Sequence, residues 1–390
     1  HPKPRETVMN ESASNQPRID AEEILEGIRR WVEIESPSHD AAAVNRMADQ
    51  VEADMRAIGA TIERTPGRDG WADILMARTP WGGDGPGILV LSHIDTVHPM
   101  GFIKDVLPFK KDGDKVFGPG IYDMKGGAYL AYYAYRHLVR SGKQTPLPIT
   151  FMFVPEEEVG SPTSREMIAQ MALKNKYVLV TEPARDGGKI VTSRKGVLHF
   201  DVKCEGRPAH AGAQHQDGRS AIREMAKQII RFEELTNYET GVTCNVGLVN
   251  GGSGVNVVPQ FCTAEVDMRV PTPELAEEMT QKILGFTAFD PDVKVTITGG
   301  INRPPYVKDE GIAKLFDHAK ALAAEIGFEL QDVKITGGGS DGNFTAAVGV
   351  PTLDGLGVDG RGAHTDYEQA YYSSFEPRAK LMLRLFETLE

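Results

Sequence analysis

Histidine and carboxylate residues stand where several apolar segments of the sequence end. An apolar run at residues 88–92 leads directly into His93 and Asp95, within the stretch SHIDTVHP. Side chains two positions apart on a strand point to the same face, so His93 and Asp95 can act together. The carboxyl ends of parallel strands form the edge at which open α/β sheets bind ligands. The stretch therefore marks a candidate site, provided that partner residues lie elsewhere in the chain.

Further groups of the same chemical types follow other segments. They are Asp123 in IYDMKGG, the acidic triplet 156–158, Glu182 in TEP, and His364 in GRGAHTDYE. Taken one at a time, each has an ordinary explanation, such as a structural hydrogen bond, a helix cap or a solvated charge run. Imidazole and carboxylate together, however, are the groups that bind divalent ions such as Zn²⁺ in proteins. The combination therefore indicates a metal site.

A pair of metal ions about 3.5–4 Å apart needs one shared carboxylate and further ligands for each ion. Five residues supply such a set, namely His93, Asp123, Glu158, Glu182 and His364. Glu157 is then left as an unassigned carboxylate, which is what a general base beside the ions requires. The residue types predict two-metal hydrolytic chemistry.

The elements that must position these residues belong to a chain of 390 residues, long enough for two or three lobes. Apolar strands alternate with helical segments up to residue 193, which predicts a mostly parallel sheet. Residues 194–303 instead follow a β-α-β-β-α-β pattern, typical of a compact two-layer unit. We therefore expect an α/β fold with a mostly parallel twisted sheet flanked by helices. It is built from segments 1–193 and 304–390, with a smaller inserted α+β domain at 194–303.

Composition narrows the class of protein. A formal net charge of −12 and a pI of about 5.4 argue against a nucleic-acid-binding protein and against a polybasic membrane anchor. The three cysteines, Cys204, Cys244 and Cys262, form no CxxC pair, and their odd number favours reduced thiols over a disulfide framework. No apolar run reaches the roughly 18 residues of a transmembrane helix. We expect a cytoplasmic protein, while a leader removed ahead of His1 stays open.

Several motifs follow one another along residues 92–368, in the order SHIDTV, GPGIYDMKGG, PEEEVGS, TEP, GRPAHAG, and GGGSDG followed by GAHTDYE. In these motifs the chain resembles the M20 metallopeptidases, most closely the branch of glutamate carboxypeptidases and acetylornithine-deacetylase-like proteins. The resemblance implies a zinc-peptidase-like catalytic domain with an inserted lid that also serves for dimerisation. It further implies two divalent metal ions as cofactors, most simply Zn²⁺, with Mn²⁺ and Co²⁺ as alternatives.

The resemblance also assigns the metal-type residues to two ions. Asp123 is implied to bridge both ions. The implied outer ligands are His93 and Glu182 for one ion, and Glu158 and His364 for the other.

The same resemblance makes Glu157 the general base, with the GS end of PEEEVGS setting the register of the acidic triplet. A slip by one position would exchange the roles of Glu157 and Glu158. Asp95 is implied to accept the imidazole N–H of His93 and so to fix its tautomer. A cis peptide bond is implied within the pair 123–124.

Substrate contacts are implied at further positions. His210, in GRPAHAG, corresponds to a histidine that stabilises the oxyanion of the tetrahedral intermediate, commonly from the lid of the partner subunit, which implies a homodimer. Asn256 is implied to bind substrate carbonyl or carboxylate groups, and Arg269 to clamp the free α-carboxylate. Arg303 is implied to face the substrate. Gly338, in GGGSDG, lets backbone N–H groups approach the substrate's terminal carboxylate.

The predicted function is hydrolysis of an amide bond next to an amino acid with a free carboxylate, in a small peptide or acyl-amino acid. Arg269, Arg303 and, as a weaker candidate, Lys189 favour an acidic amino acid. An N-acyl-amino-acid deacylase or desuccinylase and a single-metal amidohydrolase are the enzymatic alternatives. A non-catalytic binding protein on this scaffold is disfavoured because Glu157 and all five presumed ligands are present. Neither a nucleic acid nor a membrane is expected as a partner.

Overall fold

The computed structural model describes residues 17–390, so the first 16 residues of the predicted segment 1–193 lie outside the described range. The helices are α1 (Ala21–Val32), α2 (Ala41–Ala57), α3 (Phe102–Asp105), α4 (Gly126–Arg140), α5 (Arg165–Leu173), α6 (Ala221–Glu233), α7 (Pro273–Leu284), α8 (Glu310–Ile326), α9 (Gly342–Ala347) and α10 (Phe375–Thr388). The strands are β1 (Thr61–Thr65), β2 (Ile74–Arg78), β3 (Ile88–His93), β4 (Lys110–Asp112), β5 (Lys115–Phe117), β6 (Ile149–Val154), β7 (Tyr177–Val180), β8 (Ile190–Val191), β9 (Gly196–Glu205), β10 (Thr243–Gly251), β11 (Phe261–Val270), β12 (Lys294–Arg303), β13 (Asp332–Val333), β14 (Thr352–Leu353), β15 (Gly360–Arg361) and β16 (Gln369–Tyr371). Across residues 17–390, no helix combines the length and the apolar character needed to cross a bilayer.

The main sheet has six strands in the order β1-β2-β6-β3-β7-β14. Strands β6, β3, β7 and β14 run parallel to one another, whereas β2 is antiparallel to both of its neighbours. Every residue of β3 and β6 is buried, as expected for strands that are covered on both faces. The predicted α/β fold with a mostly parallel sheet is confirmed.

Helices cover the two faces of this sheet, and successive strand residues pack against different helices. Val90 of β3 belongs to one apolar core with residues of α1, α2, α4, α8 and α10. Its neighbour Leu91 packs in a second core with Ile168 of α5 and Phe344 of α9. Each fully buried side chain of this size contributes about 1.5–3 kcal/mol through the hydrophobic effect. The two cores fix the sheet, and with it the positions of the strand ends.

Helix α4 begins directly after the loop that carries Asp123, and its first turn lies against backbone. A Cβ atom on Gly127 would lie 2.1 Å from the carbonyl oxygen of Thr181 and 2.7 Å from Cα of Gly357. Only glycine allows so close an approach. The glycine pair of IYDMKGG therefore brings Asp123 next to the carboxyl end of β7, where Glu182 follows.

The second large sheet has four antiparallel strands in the order β10-β11-β9-β12 and is packed by α6 and α7 around a separate apolar core. Burial alternates along β9, as expected for a sheet with one covered face. The element order is the predicted β-α-β-β-α-β, which confirms an inserted α+β unit. The boundaries at residues 194 and 303 stay predictions.

Several short elements differ from the sequence-based expectation. Strand β1 and the small antiparallel sheet β15-β16-β5-β4 were not predicted, because strands of two to five residues carry little periodic signal. Helix α5 begins at Arg165, and Ser161 before it has a φ of 53°, outside the helical region. The connection between β15 and β16 carries His364, one of the predicted metal ligands.

Candidate active site

Three neighbouring parallel strands deliver four of the predicted site residues to one edge of the main sheet. His93 is the last residue of β3, and the acidic triplet begins two residues after β6. Glu182 lies two residues beyond β7. Because β6, β3 and β7 are adjacent in the sheet, their carboxyl ends meet. The sheet order thus explains why residues far apart in sequence converge.

Asp123 lies at the centre of the cluster, in the tight loop Ile121–Lys125 before α4. Its Oδ1 is 3.1 Å from Nε2 of His93, and its Oδ2 is 2.9 Å from Nε2 of His364. Each carboxylate oxygen therefore faces a different imidazole. The Asp123–Met124 peptide bond is cis, as the sequence resemblance implied.

The other predicted ligands pair with the two histidines. Glu182 Oε1 lies 3.3 Å from Nε2 of His93, and Glu158 Oε2 lies 3.3 Å from Nε2 of His364. Glu157 is close as well, with Oε2 at 3.4 Å from Nε2 of His93. The structure brings all five predicted ligands and the predicted base together. Because Glu157 and Glu158 both contact the cluster, their separate roles stay predictions.

Glu156 is turned away from this cluster. Its Oε2 accepts hydrogen bonds from the backbone N–H and the hydroxyl of Thr163, both at 2.7 Å, and its Oε1 accepts one from Ser164 Oγ at 2.5 Å. The carboxylate is therefore occupied at the start of α5. Of the triplet, only Glu157 and Glu158 are available to the site.

Asp95 joins the histidine to the acidic turn. Its Oδ1 and Oδ2 accept the backbone N–H groups of Glu157 and Glu158, each at 3.1 Å, and Oδ2 also accepts the hydroxyl of Ser38 at 2.6 Å. Nδ1 of His93 lies 3.0 Å from the Asp95 carbonyl oxygen and 3.3 Å from its Oδ1. Both acceptors favour a proton on Nδ1, which leaves Nε2 of His93 free to act as a ligand.

Two further residues that support the site were missed in the sequence. The buried carboxylate of Glu368 accepts the backbone N–H groups of Tyr122 and Asp123, at 2.9 Å and 3.3 Å, and lies 2.8 Å from Nε2 of His98. Glu368 therefore holds the loop that carries Asp123. The available signals were the second histidine of SHIDTVHP and the acidic residue four positions after His364.

Burial raises the pKa values of three carboxyl groups in the cluster. It holds the pKa of Glu157 well above its usual range, against the opposing effect of the His93 charge. Burial also raises the pKa of Glu158 to about 8, with the charge of Asp123 adding to the effect. The pKa of Glu182 is raised by burial as well.

Contacts within the cluster also shift the pKa values of the two histidines and of Asp123. Burial disfavours the charged form of His93, but neighbouring carboxylates, Glu182 above all, keep its pKa well above the usual value. Hydrogen bonds to Asp123 and Glu158 raise the pKa of His364 to about 11. Despite burial, hydrogen bonds from both imidazoles hold the pKa of Asp123 well below its usual range. The site is built to favour positive charge.

The residues fit divalent cations. Oε1 of Glu158 is buried and has no hydrogen-bond partner among the described residues, a costly arrangement for a carboxylate oxygen unless a cation pairs with it. Potential ligand atoms of His93, Asp123 and Glu158 lie within 4.8 Å of one another, and so do those of His93, Glu157 and Glu182. Imidazole nitrogen and carboxylate oxygen form the donor set that Zn²⁺, Mn²⁺ and Co²⁺ accept.

A cavity of about 630 Å³ lies beside the cluster and is wide enough for a small peptide or acyl-amino acid. Acidic and imidazole groups of the site line it, and so do four arginines from different elements: Arg185, Arg194, Arg269 and Arg303. The cavity therefore combines a centre for cations with groups for anions.

The predicted substrate residues differ in where they lie. Arg269 and Gly338 line the cavity, and Arg269 bonds both carboxylate oxygens of Asp267, at 2.7 Å and 2.8 Å. Arg303 also lines it but is buried, with Nη1 donating to Asp341 and Nη2 to the carbonyl oxygen of Glu157, both at 2.9 Å. Lys189 does not line the cavity. Arg185, which lies four positions earlier in the chain, does line it.

His210 and Asn256 are exposed on the inserted domain and are not among the residues that line the cavity. Nδ1 of His210 accepts the backbone N–H groups of Gly212 and Ala213, at 3.1 Å and 3.0 Å. Because Nδ1 accepts these two hydrogen bonds, the proton of the neutral imidazole is on Nε2. The Nε2–H group of His210 is therefore available to donate to another partner. Within one chain, the structure does not bring these two residues to the metal-type cluster.

Comparisons with known proteins identify the family and the fold of the chain. Residues 89–388 match the model of the peptidase family M20/M25/M40. The chain is 30% identical over 388 residues to carboxypeptidase G2 of Pseudomonas sp. (strain RS-16), which covers 97% of this chain and 91% of that protein. A tripeptidase of Staphylococcus aureus subsp. aureus Mu50 has a similar structure, with a TM-score of 0.79 at 22% identity over 95% of this chain and 99% of the other. An M20 family metallo-carboxypeptidase of Sulfolobus solfataricus has a TM-score of 0.73 at 18% identity, over 94% and 100%. These two structures share the fold of the chain.

Proposed function

Because the chain belongs to the peptidase family M20/M25/M40 and is a metal-dependent hydrolase, we propose that it releases glutamate or aspartate from the carboxyl end of a small peptide or acyl-amino acid. One observation carries the proposal. The two carboxylate oxygens of Asp123 lie 3.1 Å and 2.9 Å from the imidazoles of His93 and His364, beside a cavity that arginines also line. The first feature suits hydrolysis at a pair of cations, and the second suits an anionic substrate.

Two divalent ions, proposed as Zn²⁺, would be held around Asp123 as the shared carboxylate. The proposed outer ligands are His93 and Glu182 on one side, and Glu158 and His364 on the other. When bound, such ions polarise the scissile carbonyl group and lower the pKa of water. Asp95 and Glu368 position the ligands, because they bond His93 and the backbone of Asp123.

Glu157 is proposed as the general base. Its carboxyl group is buried beside His93, and burial raises its pKa, so that it can accept a proton from the attacking water at Oε2. It then delivers that proton to the leaving amine nitrogen. Arg303 holds the backbone of Glu157 through the bond from Nη2 to the Glu157 carbonyl oxygen. A fixed carboxylate keeps the proton transfer within hydrogen-bonding distance.

Charged and backbone groups of the cavity bind the substrate's carboxylates. Arg269 is proposed to clamp the α-carboxylate, because it lines the cavity and a guanidinium group can donate two parallel hydrogen bonds. Backbone N–H groups around Gly338 add donors for the same carboxylate. Arg303 is proposed to face the substrate from the cavity wall, where Asp341 offsets its charge.

We also propose a homodimer formed through the inserted domain. Strand β10 is an edge strand of its sheet and exposes Leu248 and Val249, by 63% and 58%. An edge that exposes apolar side chains is suited to an interface. In the dimer, His210 and Asn256 of one chain would reach the cavity of the other, where Nε2–H of His210 donates to the developing oxyanion.

The cytoplasmic location stays a prediction. The cysteines Cys204, Cys244 and Cys262 are free, as expected of reduced thiols.

A screen of acyl-amino acids tests the proposal. The full chain, supplied with Zn²⁺, is assayed for amino acids released from N-acetyl, N-aroyl and dipeptide substrates that share one carboxyl-terminal residue. We expect faster release of glutamate and aspartate than of leucine or glutamine. Equal rates for acidic and neutral residues would contradict the acidic preference. Activity on N-acetyl substrates alone would instead identify the N-acyl-amino-acid deacylase.

A further inference from the structure

Arg185 lies in the loop that follows Glu182, and its backbone is fixed by a closed turn. Its N–H donates to the Lys189 carbonyl oxygen at 2.8 Å, and the N–H of Lys189 donates back at 2.7 Å. Asp186 adopts a φ of 33°, and two glycines complete the turn. The turn leaves the Arg185 side chain in the lining of the cavity. A residue held in this way can recognise a ligand without ordering a flexible loop.

Arg185 differs from the other three arginines of the cavity in its partners. Arg194, Arg269 and Arg303 each contact a carboxylate, at 2.9 Å, 2.7 Å and 2.9 Å respectively. Within residues 17–390, no carboxylate lies within 4.0 Å of the Arg185 guanidinium nitrogens, and its buried Nε has no hydrogen-bond partner. A half-buried guanidinium group without an acceptor retains unused capacity for an anion.

A second guanidinium group lies close to the first, next to Gly338. A Cβ atom on Gly338 would be 3.3 Å from Nη2 of Arg185 and 3.8 Å from Nη1 of Arg194. Arg194 is 1% exposed, donates from Nη1 to the Gly338 carbonyl oxygen at 2.9 Å, and has an Nη2 atom without an acceptor. Two positive charges therefore converge on one point of the cavity wall. Among the described residues, Asp354 is the single carboxylate that contacts either of these two guanidinium groups.

We propose that Arg185 is the residue that determines specificity for an acidic substrate, by binding the side-chain carboxylate of the amino acid to be released. Arg194 supports it from within the wall, as a second positive charge that also holds Gly338. This inference rests on the proposed function and deepens it. Arg269 takes the α-carboxylate in that proposal, and an acidic substrate then presents a second carboxylate. Of the four cavity arginines, Arg185 is the one that contacts no carboxylate among the described residues.

Two substrates that differ in one group test the role of Arg185. We compare N-acyl-glutamate with N-acyl-glutamine, which has nearly the same shape, in the wild type and in Arg185→Gln. Loss of charged hydrogen bonds predicts a fall of about 10- to 100-fold in kcat/KM for the glutamate substrate, mainly through KM. For the glutamine substrate we expect a change of less than about threefold, because the amide does not need a cation. Arg185→Lys keeps the charge and loses the planar fork, so its effect should be intermediate.

Arg140→Gln is the matched control, because Arg140 is exposed at the end of α4 and its loss changes the net charge equally. The control should leave both substrates unchanged. An equal fall for both substrates in Arg185→Gln overturns the inference, because it would mean a contact to the shared α-carboxylate or a structural role. A wild type that does not distinguish glutamate from glutamine overturns it too, while leaving the hydrolase itself intact. A wild type that releases neither amino acid overturns the proposed function first.

Discussion

At the scale of single residues, the site depends on carboxylates with the same chemistry and different surroundings. Glu156, Glu157 and Glu158 are consecutive, but Glu156 is bonded at the start of α5, while the other two face the histidines. Oε1 of Glu158 lacks a hydrogen-bond partner, and Glu157 is held through its carbonyl oxygen by Arg303. These contacts favour Glu158 as a ligand and Glu157 as the base.

Replacement of Glu157 separates these two roles. Glu157→Gln should lower kcat by about 10²- to 10⁴-fold, the typical contribution of a general base, while the bound metal per chain is unchanged. Glu158→Gln, the matched variant, should lose metal together with activity. The measurements are steady-state kinetics and elemental analysis of the purified variants. Loss of metal from Glu157→Gln, with metal retained in Glu158→Gln, would show that the register of the triplet is shifted by one.

Replacement of Glu368 tests whether a residue that is not itself a proposed metal ligand affects metal binding. Glu368→Ala removes the acceptor of the Tyr122 and Asp123 N–H groups, so we expect about 10- to 100-fold weaker metal binding in a competition assay with a chelator. Glu368→Gln keeps an acceptor oxygen and should lose less. Glu376→Ala, at an exposed position on α10, should bind metal as the wild type does. Unchanged affinity in a folded Glu368→Ala variant would refute the positioning role.

At the scale of elements, the site is assembled by the order of strands and by one close contact of a helix. Strands β6, β3 and β7 are neighbours, so the residues after them meet without long loops. Helix α4 approaches the end of β7 through Gly127, which brings the loop Ile121–Lys125 to that same edge. The motif IYDMKGG therefore carries the proposed ligand Asp123 and also makes the close contact that positions it.

Gly127→Ala tests this contact. The added Cβ would meet the Thr181 carbonyl oxygen at 2.1 Å, and backbone atoms cannot rotate away. The gain of about 1 kcal/mol in helix propensity should be outweighed, leaving the variant less stable by about 1–3 kcal/mol in denaturant unfolding. Gly85→Ala, where the added Cβ would lie 3.8 Å from the Gly82 carbonyl oxygen, should be close to neutral. Equal stability of the two variants would contradict the packing role.

At the scale of the whole molecule, the cavity lies between elements of the main sheet and the inserted domain. Arg269 and Arg303 come from β11 and β12, whereas Glu182 follows β7 of the main sheet and His364 lies between β15 and β16. Two predicted substrate residues, His210 and Asn256, are exposed away from that lining. A second chain is therefore the proposed source of a complete site.

Mixing two inactive variants tests this arrangement. His210→Ala and Glu157→Gln each lose activity, but a mixed dimer contains one site with Glu157 from one chain and His210 from the other. After subunit exchange in equal amounts, we expect about a quarter of the wild-type activity, since half of the dimers are mixed and each has one intact site. A mixture as inactive as its components, with mixed dimers demonstrated by mass, would place His210 in its own chain's site or outside catalysis.

Much of the fold could be predicted because its signals are local. The apolar run at β3 and the alternation of apolar strands with helical segments indicated a mostly parallel sheet, and the β-α-β-β-α-β pattern indicated the inserted unit. Hydrophobic burial acts on each segment wherever it lies, so such patterns can be recognised in a single sequence. The short strands β15 and β16 could not be predicted, because strands of two and three residues exist only through pairing.

The sequence by itself determined the candidate cation-binding groups, since residue type, motif order and position after apolar runs single out His93, Asp123 and their partners. Only the tertiary structure decided which neighbouring side chains face the site. It turns Glu156 away, brings Glu368 behind Asp123 and selects Arg185 rather than Lys189 for the cavity. The physical reason is that a side chain's direction in a loop depends on hydrogen bonds to residues distant in the chain, and no local pattern records those partners.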